Sequence, residues 1–155
     1  MGLFDKVKSM KDAVTGGAAK VYVQADAPSL SQPFTVTIRA SSTGGDVKFS
    51  RVYLEVKGVE LIDLRDSVSF HHNGERHNES VHIKKSSTTF SQEYNVAPEG
   101  VISGGESEGW TFDVTLPAGA MPTFRGKFSR HYYSVRAGLD CFGNDPDSGW
   151  IELHM

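Results

Sequence analysis

Four histidines fall within twelve consecutive residues near the middle of the chain: His71, His72, His77 and His82. If Asn73-Gly74 is a two-residue turn, one face of the resulting hairpin carries His72, His77, Glu75 and Glu79. His72 and His77 would then be diagonal neighbours, with Cα atoms about 7 to 8 Å apart. Two imidazoles at that separation can reach one zinc or nickel ion at about 2.0 to 2.1 Å each. The pattern predicts either a weak metal site or a solvated polar hairpin tip.

A second pattern, Gly105-Glu106-Ser107-Glu108-Gly109, matches the G-x-S-x-G sequence of hydrolases. A nucleophile elbow needs a strand before the serine and a helix after it. Here a glycine-rich loop precedes Ser107, and a strand through Trp110 follows it. The two flanking glutamates would also oppose a developing oxyanion. We therefore predict that the chain is not an enzyme, has no catalytic residue and uses no cofactor.

Composition and charge restrict the class of protein. The chain has 155 residues, of which 38% are apolar, and a net charge of −3. This charge is too weak to attract nucleic acid through the overall field. The lone cysteine, Cys141, cannot form an internal disulfide, and the first residues lack the apolar core and cleavage site of a secretory signal. We expect a cytoplasmic globular protein that does not bind nucleic acid.

From Gly17 onwards apolar and polar residues alternate, which is the period of strands with one buried face. The apolar positions of the first three segments are Val21, Val23 and Ala25; Phe34, Val36, Ile38 and Ala40; and Val47, Phe49, Val52, Leu54, Val56, Val59 and Leu61. Slips of parity at Ser50-Arg51 and at Lys57-Gly58 predict bulges. Asn73-Gly74 predicts a type I′ hairpin turn, because both residues accept a positive φ.

Further strands are predicted near Glu75 to Lys85, Thr88 to Val96, Gly109 to Leu116 and Tyr133 to Cys141, with a last strand through Trp150. Loops are expected from Pro98 to Glu108 and from Pro117 to Lys127. About seven to nine antiparallel strands with turns between them are typical of a β-sandwich. We therefore predict a mostly β, antiparallel, immunoglobulin-like sandwich over residues 17–155.

Residues 1–16 are predicted to form a short amphipathic helix in front of the sandwich. Leu3, Val7, Met10 and Val14 follow a helical period, and Gly16-Gly17 can end the helix. The apolar stripe consists of Leu3, Phe4, Val7 and Met10, with lysines beside it. Three uses of this stripe are open: it docks on the sandwich, contacts a partner protein, or lies weakly on an anionic membrane surface.

Three stretches resemble the end of an arrestin-type N-terminal domain: Phe112-x-x-x-Leu116-Pro117, Pro122-Thr123-Phe124-Arg125-Gly126 and Tyr133-x-Val135-x-Ala137-x-Leu139-Asp140. The front of the chain, with Gly17-Ala18-Ala19-Lys20-Val21, Phe34 to Ala40, Gly44-Gly45 and Val52-x-Leu54-x-Val56, resembles the bacterial Spo0M-type sporulation-control branch of the arrestin-like superfamily. The resemblance implies an arrestin-like β-sandwich that acts as an adaptor or regulator by binding other proteins. Members of this branch usually carry two sandwich domains, and 155 residues are enough for one. Self-association is an open alternative, since two such domains side by side could imitate the two-domain arrangement.

Overall fold

The computed structural model describes residues 18–155, and over this range the chain forms strands and turns but no helix. The strands are β1 (Ala19–Asp26), β2 (Phe34–Ser42), β3 (Val47–His72), β4 (Glu75–Ile102), β5 (Ser107–Val114), β6 (Phe124–Arg125), β7 (Ser129–Cys141) and β8 (Ile151–Glu152). The predicted helix of residues 1–16 lies outside the described residues. Nothing in the described part of the chain is a helix long and apolar enough to cross a bilayer.

The strands form two antiparallel sheets, which confirms the predicted sandwich. Sheet A has the order β1-β2-β5, and sheet B has the order β4-β3-β7-β6, with β8 also paired to β7. The core lies between them because alternate side chains of each sheet point inwards. Val36 and Ile38 from sheet A and Leu54, Val56 and Leu139 from sheet B are at most 1% exposed.

The bulges predicted in β3 correspond to irregular pairing of β3 with its neighbours. Some of the extra residues, however, lie on β4 and not on β3. The β3–β7 register shifts between Phe49 and Arg51, close to the predicted slip at Ser50-Arg51. The β3–β4 register shifts twice: at Val52/Tyr53, where Val96 is the extra residue on β4, and at Gly58/Val59, where Gly58 pairs with Phe90 and Val59 with Thr88. Thr89 on β4 is therefore the extra residue, and it bends β4 away from a flat edge.

β3 and β4 are much longer than the sequence pattern predicts. The segments expected as separate strands before and after Lys85 belong to one strand of 28 residues. The same strand takes in Pro98 to Ile102, which we expected to lie in a loop. The reason is that β3 supplies a partner residue almost continuously from Val47 to His72. Cross-strand pairing therefore overrides Pro98, whose lack of an N–H predicts a strand end.

The two edges of sheet B differ. The outer edge of β7 is covered by β6, by β8 and by the C-terminal segment, in which Ser148 N–H donates to Ala137 O at 2.8 Å and Leu139 N–H donates to Pro146 O at 3.0 Å. The outer edge of β4 has no strand beside it within the described residues. Sheet B is thus closed on one side and open on the other.

Candidate interaction surface

The β3–β4 hairpin projects beyond the sandwich as a two-stranded arm, defined here as residues 62–85. The pairing of β3 with β7 ends at Ile62 and Ser129. Asp63 N–H still donates to Phe128 O at 2.8 Å, and from Leu64 to His72 the strand β3 pairs with β4 alone. The turn is Asn73-Gly74, with φ of 52° and 81°, as the type I′ prediction requires. Most side chains of the arm are exposed, and no strand of residues 18–155 other than β3 and β4 extends along it.

The register of the arm assigns each side chain to one of two faces, because paired residues of an antiparallel ladder point to the same side. The polar face carries Asp63, Arg65, Ser67, Ser69, His71, Arg76, Asn78, Ser80, His82 and Lys84. The other face is mixed. Six of its residues are apolar, Ile62, Leu64, Val68, Phe70, Val81 and Ile83, and six are ionisable, Asp66, His72, Glu75, His77, Glu79 and Lys85. Val68 is 50% exposed and Phe70 is 44% exposed. Sequence reasoning identified His72, Glu75, His77 and Glu79 on this face but missed its apolar residues, although the alternation of Ile62, Leu64, Val68 and Phe70 was a visible signal.

The predicted metal residues lie on one side of the arm, as the hairpin register requires. His72 pairs with Glu75 and Phe70 with His77, and the ring centroids of His72 and His77 are 6.4 Å apart. The His77 ring also stacks on Phe70 at 5.5 Å. Over residues 18–155, however, no group of three or more His, Cys, Asp or Glu side chains is placed to hold a metal ion. The site with Glu79 therefore stays a prediction that the geometry leaves incomplete.

Titration of zinc into the metal-free protein tests this prediction. We expect no saturable heat at tens of micromolar protein, because two imidazoles on a flexible hairpin tip lack the further ligands and supporting hydrogen bonds of a stable site. A one-to-one isotherm that disappears in His77→Ala but persists in His71→Ala, on the opposite face, would establish the metal site instead.

Another histidine of the arm, His82, makes a cross-strand hydrogen bond on the polar face. His82 Nε2 lies 2.7 Å from Asp63 Oδ1. The hydrogen bond from His82 lowers the pKa of the Asp63 carboxyl below its ordinary value. Both side chains are more than 40% exposed, so this contact is a solvated cross-strand pair that adds little to stability.

A buried histidine, His131 on β7, joins the base of the arm to the sandwich. It is 2% exposed. Its Nδ1 lies 3.0 Å from Pro122 O, and its Nε2 lies 2.7 Å from Thr89 Oγ1. A carbonyl only accepts, so Nδ1 carries the proton in this contact. Thr89 is a bulged residue of β4. His131 therefore holds two features in place: the bend of β4 near the base of the arm, through Thr89, and the loop that contains Pro122.

The outer face of sheet B is polar, and arginine and carboxylate side chains of neighbouring strands pair across it. Arg51 on β3 contacts Asp140 on β7 and reaches Glu93 on β4 at 3.1 Å. Arg136 donates to Glu55 at 2.6 Å and lies 4.9 Å from the Trp150 ring centroid. The arginines are already held by carboxylates, so this face is a solvated structural surface and not a cluster of free reactive groups.

The open edge of β4 lies over half-buried aromatic side chains. Tyr94 packs on Phe112 of sheet A with ring centroids 5.0 Å apart, and Phe90 packs edge-on against Tyr133 at 6.5 Å. Phe90, Tyr94 and Phe112 fill the seam between the two sheets but are only partly covered, whereas Tyr133 is fully buried. Between the bulged residues Thr89 and Val96, the segment Phe90–Asn95 is regularly paired with β3. It therefore offers a straight row of backbone groups beside an apolar seam.

The hydrolase-like serine is placed at the start of β5. Ser107 Oγ lies 2.6 Å from Ser41 Oγ on β2. A second hydroxyl is not a general base, so this contact doesn't supply the partner that a serine nucleophile needs. The predicted contact residues of the N-terminal stripe, Leu3, Phe4, Val7 and Met10, lie outside the described residues.

No protein-family model matches the sequence, and no curated protein matches it. Among solved structures, the chain is similar to Spo0M, a sporulation control protein from Bacillus subtilis, with a TM-score of 0.58 and 18% sequence identity. The match covers 88% of this chain and 49% of that chain, so the chain spans about half the length of Spo0M. The likeness shows the arrestin-like β-sandwich fold that the sequence resemblance predicts.

Proposed function

We propose that this chain is a non-enzymatic, cytoplasmic regulatory module of bacterial type that binds other proteins by strand addition to the open edge of β4. The observation that carries the proposal is that edge, unpaired along the described part of sheet B while the opposite edge is covered. The similarity in fold to a sporulation control protein supports a regulatory role. Recognition needs no catalytic group, since backbone hydrogen bonds give affinity and alternate side chains give specificity.

The segment Phe90–Asn95 is the part of this edge best suited to receive a strand. An unprotected edge invites aggregation, and bulges and prolines are the usual protection. In β4 the bulged residues Thr89 and Val96 lie at register shifts, and Pro98 follows. The six residues between the two bulges, Phe90–Asn95, pair regularly with β3 and carry neither form of protection. The partner should be an extended segment whose apolar side chains alternate, because its inward side chains would lie against Phe90, Tyr94 and Phe112 of the seam.

Site-specific photo-crosslinking tests the edge. A photoreactive amino acid at Gln92, which is exposed on β4, is compared with the same group at Lys48, which is exposed on the internal strand β3. In extracts of the native host we expect Gln92 to give a discrete protein adduct that Lys48 does not give. Equal adducts from both positions, or none from Gln92, would contradict strand addition at β4.

The N-terminal stripe is a second proposed contact, argued from its sequence alone. Affinity capture with the intact chain and with a chain lacking residues 1–15 separates its uses. A partner lost from the shorter bait places a protein contact on Leu3, Phe4, Val7 or Met10. Flotation of the intact chain with anionic vesicles at low salt tests the membrane alternative, for which the lysines supply only about 1 kcal/mol each. No flotation would eliminate surface binding.

A further inference from the structure

We propose that the strand received by the open edge of β4 is basic, with lysine or arginine alternating with apolar residues. The inference rests on the proposed strand addition and adds the charge of the partner. The site is the open edge itself, and the charges around the edge decide which strand it accepts.

The stretch of chain that supplies the edge segment of β4 and all of β5 contains no cationic side chain. From Ser86 to Phe124 there is no Lys, Arg or His. The carboxylates of the same stretch are Glu93, Glu99, Glu106, Glu108 and Asp113, and all of them are exposed. The whole chain has 16 Lys and Arg against 19 Asp and Glu. The excess of negative charge is therefore a local property of this stretch.

The open edges of β4 and β5 border one groove. Among residues 18–155, β5 is the last strand of sheet A, as β4 is of sheet B. Tyr94 of β4 meets Phe112 of β5 across the seam, and Trp110 of β5 packs edge-on against Phe49 of β3 with ring centroids 5.8 Å apart. A strand added to β4 would therefore lie beside aromatic rings, with β5 on the far side of the groove.

Glu93 lies at the centre of the segment Phe90–Asn95 and on its solvent side. It pairs with Glu55 on the outer face of sheet B, and its side chain is 48% exposed. Side chains directly opposite each other on neighbouring antiparallel strands have Cβ atoms about 4.5 to 5.5 Å apart. A partner lysine at that position would meet an opposite charge. A partner glutamate would place like charges together, which destabilises the pairing.

Asp113 adds negative charge from the other border of the groove. It pairs with Thr35 and accepts a hydrogen bond from the Thr35 hydroxyl at 2.7 Å. The remaining carboxylates lie towards the end of the groove where β4 finishes and β5 starts. All of these charges are farther from an added strand than Glu93. They therefore act through the field around the groove, which salt weakens.

Cations near this edge lie one strand further in, on the internal strands of the two sheets. They are Arg39 on β2 and Lys48, Arg51 and Lys57 on β3. Arg51 is shared between Asp140 and Glu93, and Lys57 lies 5.8 Å from the Trp150 ring centroid. An added strand would lie about 4.8 Å from β4 and about twice that distance from β3. It therefore meets the carboxylates of the edge strand first.

The same charge protects the edge from a second copy of the chain. Unpaired edges are templates for edge-to-edge aggregation, and charged side chains are one form of protection. Pairing of two β4 edges would bring the Glu93 carboxylates of both copies into one small sheet, where like charges oppose pairing. A basic strand is thus accepted by the edge, whereas a second copy is disfavoured.

Two synthetic peptides that differ only in charge test the inference with the full chain. Each is about seven residues long, to match Phe90–Asn95, with valine at alternate positions and either lysine or glutamate at the others. In anisotropy titrations at low salt we expect the lysine peptide to bind about tenfold more tightly than the glutamate peptide. The difference should shrink in about 0.5 M salt, which screens exposed charges.

A third peptide separates strand addition from nonspecific attraction. It has the lysine sequence with every backbone nitrogen methylated, so it keeps the charge but cannot donate backbone hydrogen bonds. We expect it not to bind, and binding equal to that of the unmodified lysine peptide would overturn the inference. Equal binding of the lysine and glutamate peptides would also overturn it while leaving strand addition at β4 intact. If no peptide binds, the proposed function is contradicted as well.

Charge reversal locates the contact. Glu93→Lys should weaken binding of the lysine peptide about tenfold, and Asp113→Lys about twofold, because its charge acts across the groove. Glu79→Lys, in the arm, is the matched control and should leave the affinity unchanged. An effect at Glu79 as large as at Glu93 would overturn the inference. Equal thermal midpoints show that the variants are folded, and Asp113→Lys keeps the test valid if the loss of the Arg51 contact unfolds Glu93→Lys.

The chain lacking residues 1–15 completes the test. These residues contain Lys6, Lys8 and Lys11, so they are another basic candidate for the edge. We expect the lysine peptide to bind the intact and the shorter chain with the same affinity. Binding to the shorter chain alone would show that the chain's own first residues take the edge, and it would overturn the partner proposed above.

Discussion

Replacing His131 with alanine should lower the free energy of unfolding by about 3 kcal/mol, because it removes a buried ring and leaves a cavity. The ring of His131 lies edge-on to Tyr133 at 5.0 Å and is stacked on Phe124 at 6.4 Å. Its nitrogens bind Pro122 O and Thr89 Oγ1. The loss therefore combines packing between β7 and the loop with two hydrogen bonds. Urea unfolding followed by fluorescence measures it.

His131→Phe separates the two contributions. Phenylalanine keeps most of the ring volume but cannot donate to Pro122 O, so we expect this variant to lose about 1 kcal/mol. His71→Ala, an exposed histidine on the polar face of the arm, is the control and should change stability by less than about 0.5 kcal/mol. If His131→Ala is no worse than His71→Ala, His131 doesn't hold the base of the arm.

Gly138→Ala should destabilise the sandwich by about 2 to 3 kcal/mol through overpacking. Gly138 on β7 pairs with Tyr53 on β3. An added Cβ would overlap the phenol of Tyr53 and lie 2.9 Å from Pro146 O. Neither neighbour can yield easily: Tyr53 is 7% exposed, and Pro146 O accepts a hydrogen bond from Leu139 N–H. Burial, the largest cause, raises the pKa of the Tyr53 phenol to about 12.

Gly45→Ala is the matched control for this substitution. An added Cβ at Gly45 meets nothing within 4 Å, so its free energy of unfolding should equal that of the wild type or exceed it slightly. Denaturant unfolding of both variants makes the comparison. A loss at Gly138 no greater than at Gly45 would show that the C-terminal segment isn't packed tightly over Tyr53.

The sandwich and its hairpin turn could be predicted because their signals are local. Alternation of apolar residues determines which side of a strand is buried, and Asn73-Gly74 determines a two-residue turn. The continuity of β4 could not be predicted in this way. Pro98 is a local signal for a strand end, yet β3 continues beside it from Val47 and keeps the chain extended.

The candidate surfaces depend on information that no single segment contains. The arm loses its third strand where β7 begins at Ser129, so the exposure of Val68 and Phe70 depends on the length of a strand some sixty residues away. The burial of His131 could not be predicted for the same reason. Nothing in the sequence around His131 indicates burial, which depends on contacts with Pro122 and Thr89 from other parts of the chain. The proximity of His72 and His77 could be predicted from the sequence, because both residues belong to one hairpin.

The most direct test of strand addition is amide hydrogen exchange of β4 in the complex with the protein recovered through the Gln92 adduct. In the free chain, alternate amides between Phe90 and Asn95 face outwards from the open edge and should exchange rapidly. In the complex those same amides should be protected, because a partner strand accepts their hydrogen bonds. Unchanged exchange along Phe90–Asn95, with protection confined to other surfaces, would contradict the proposed function.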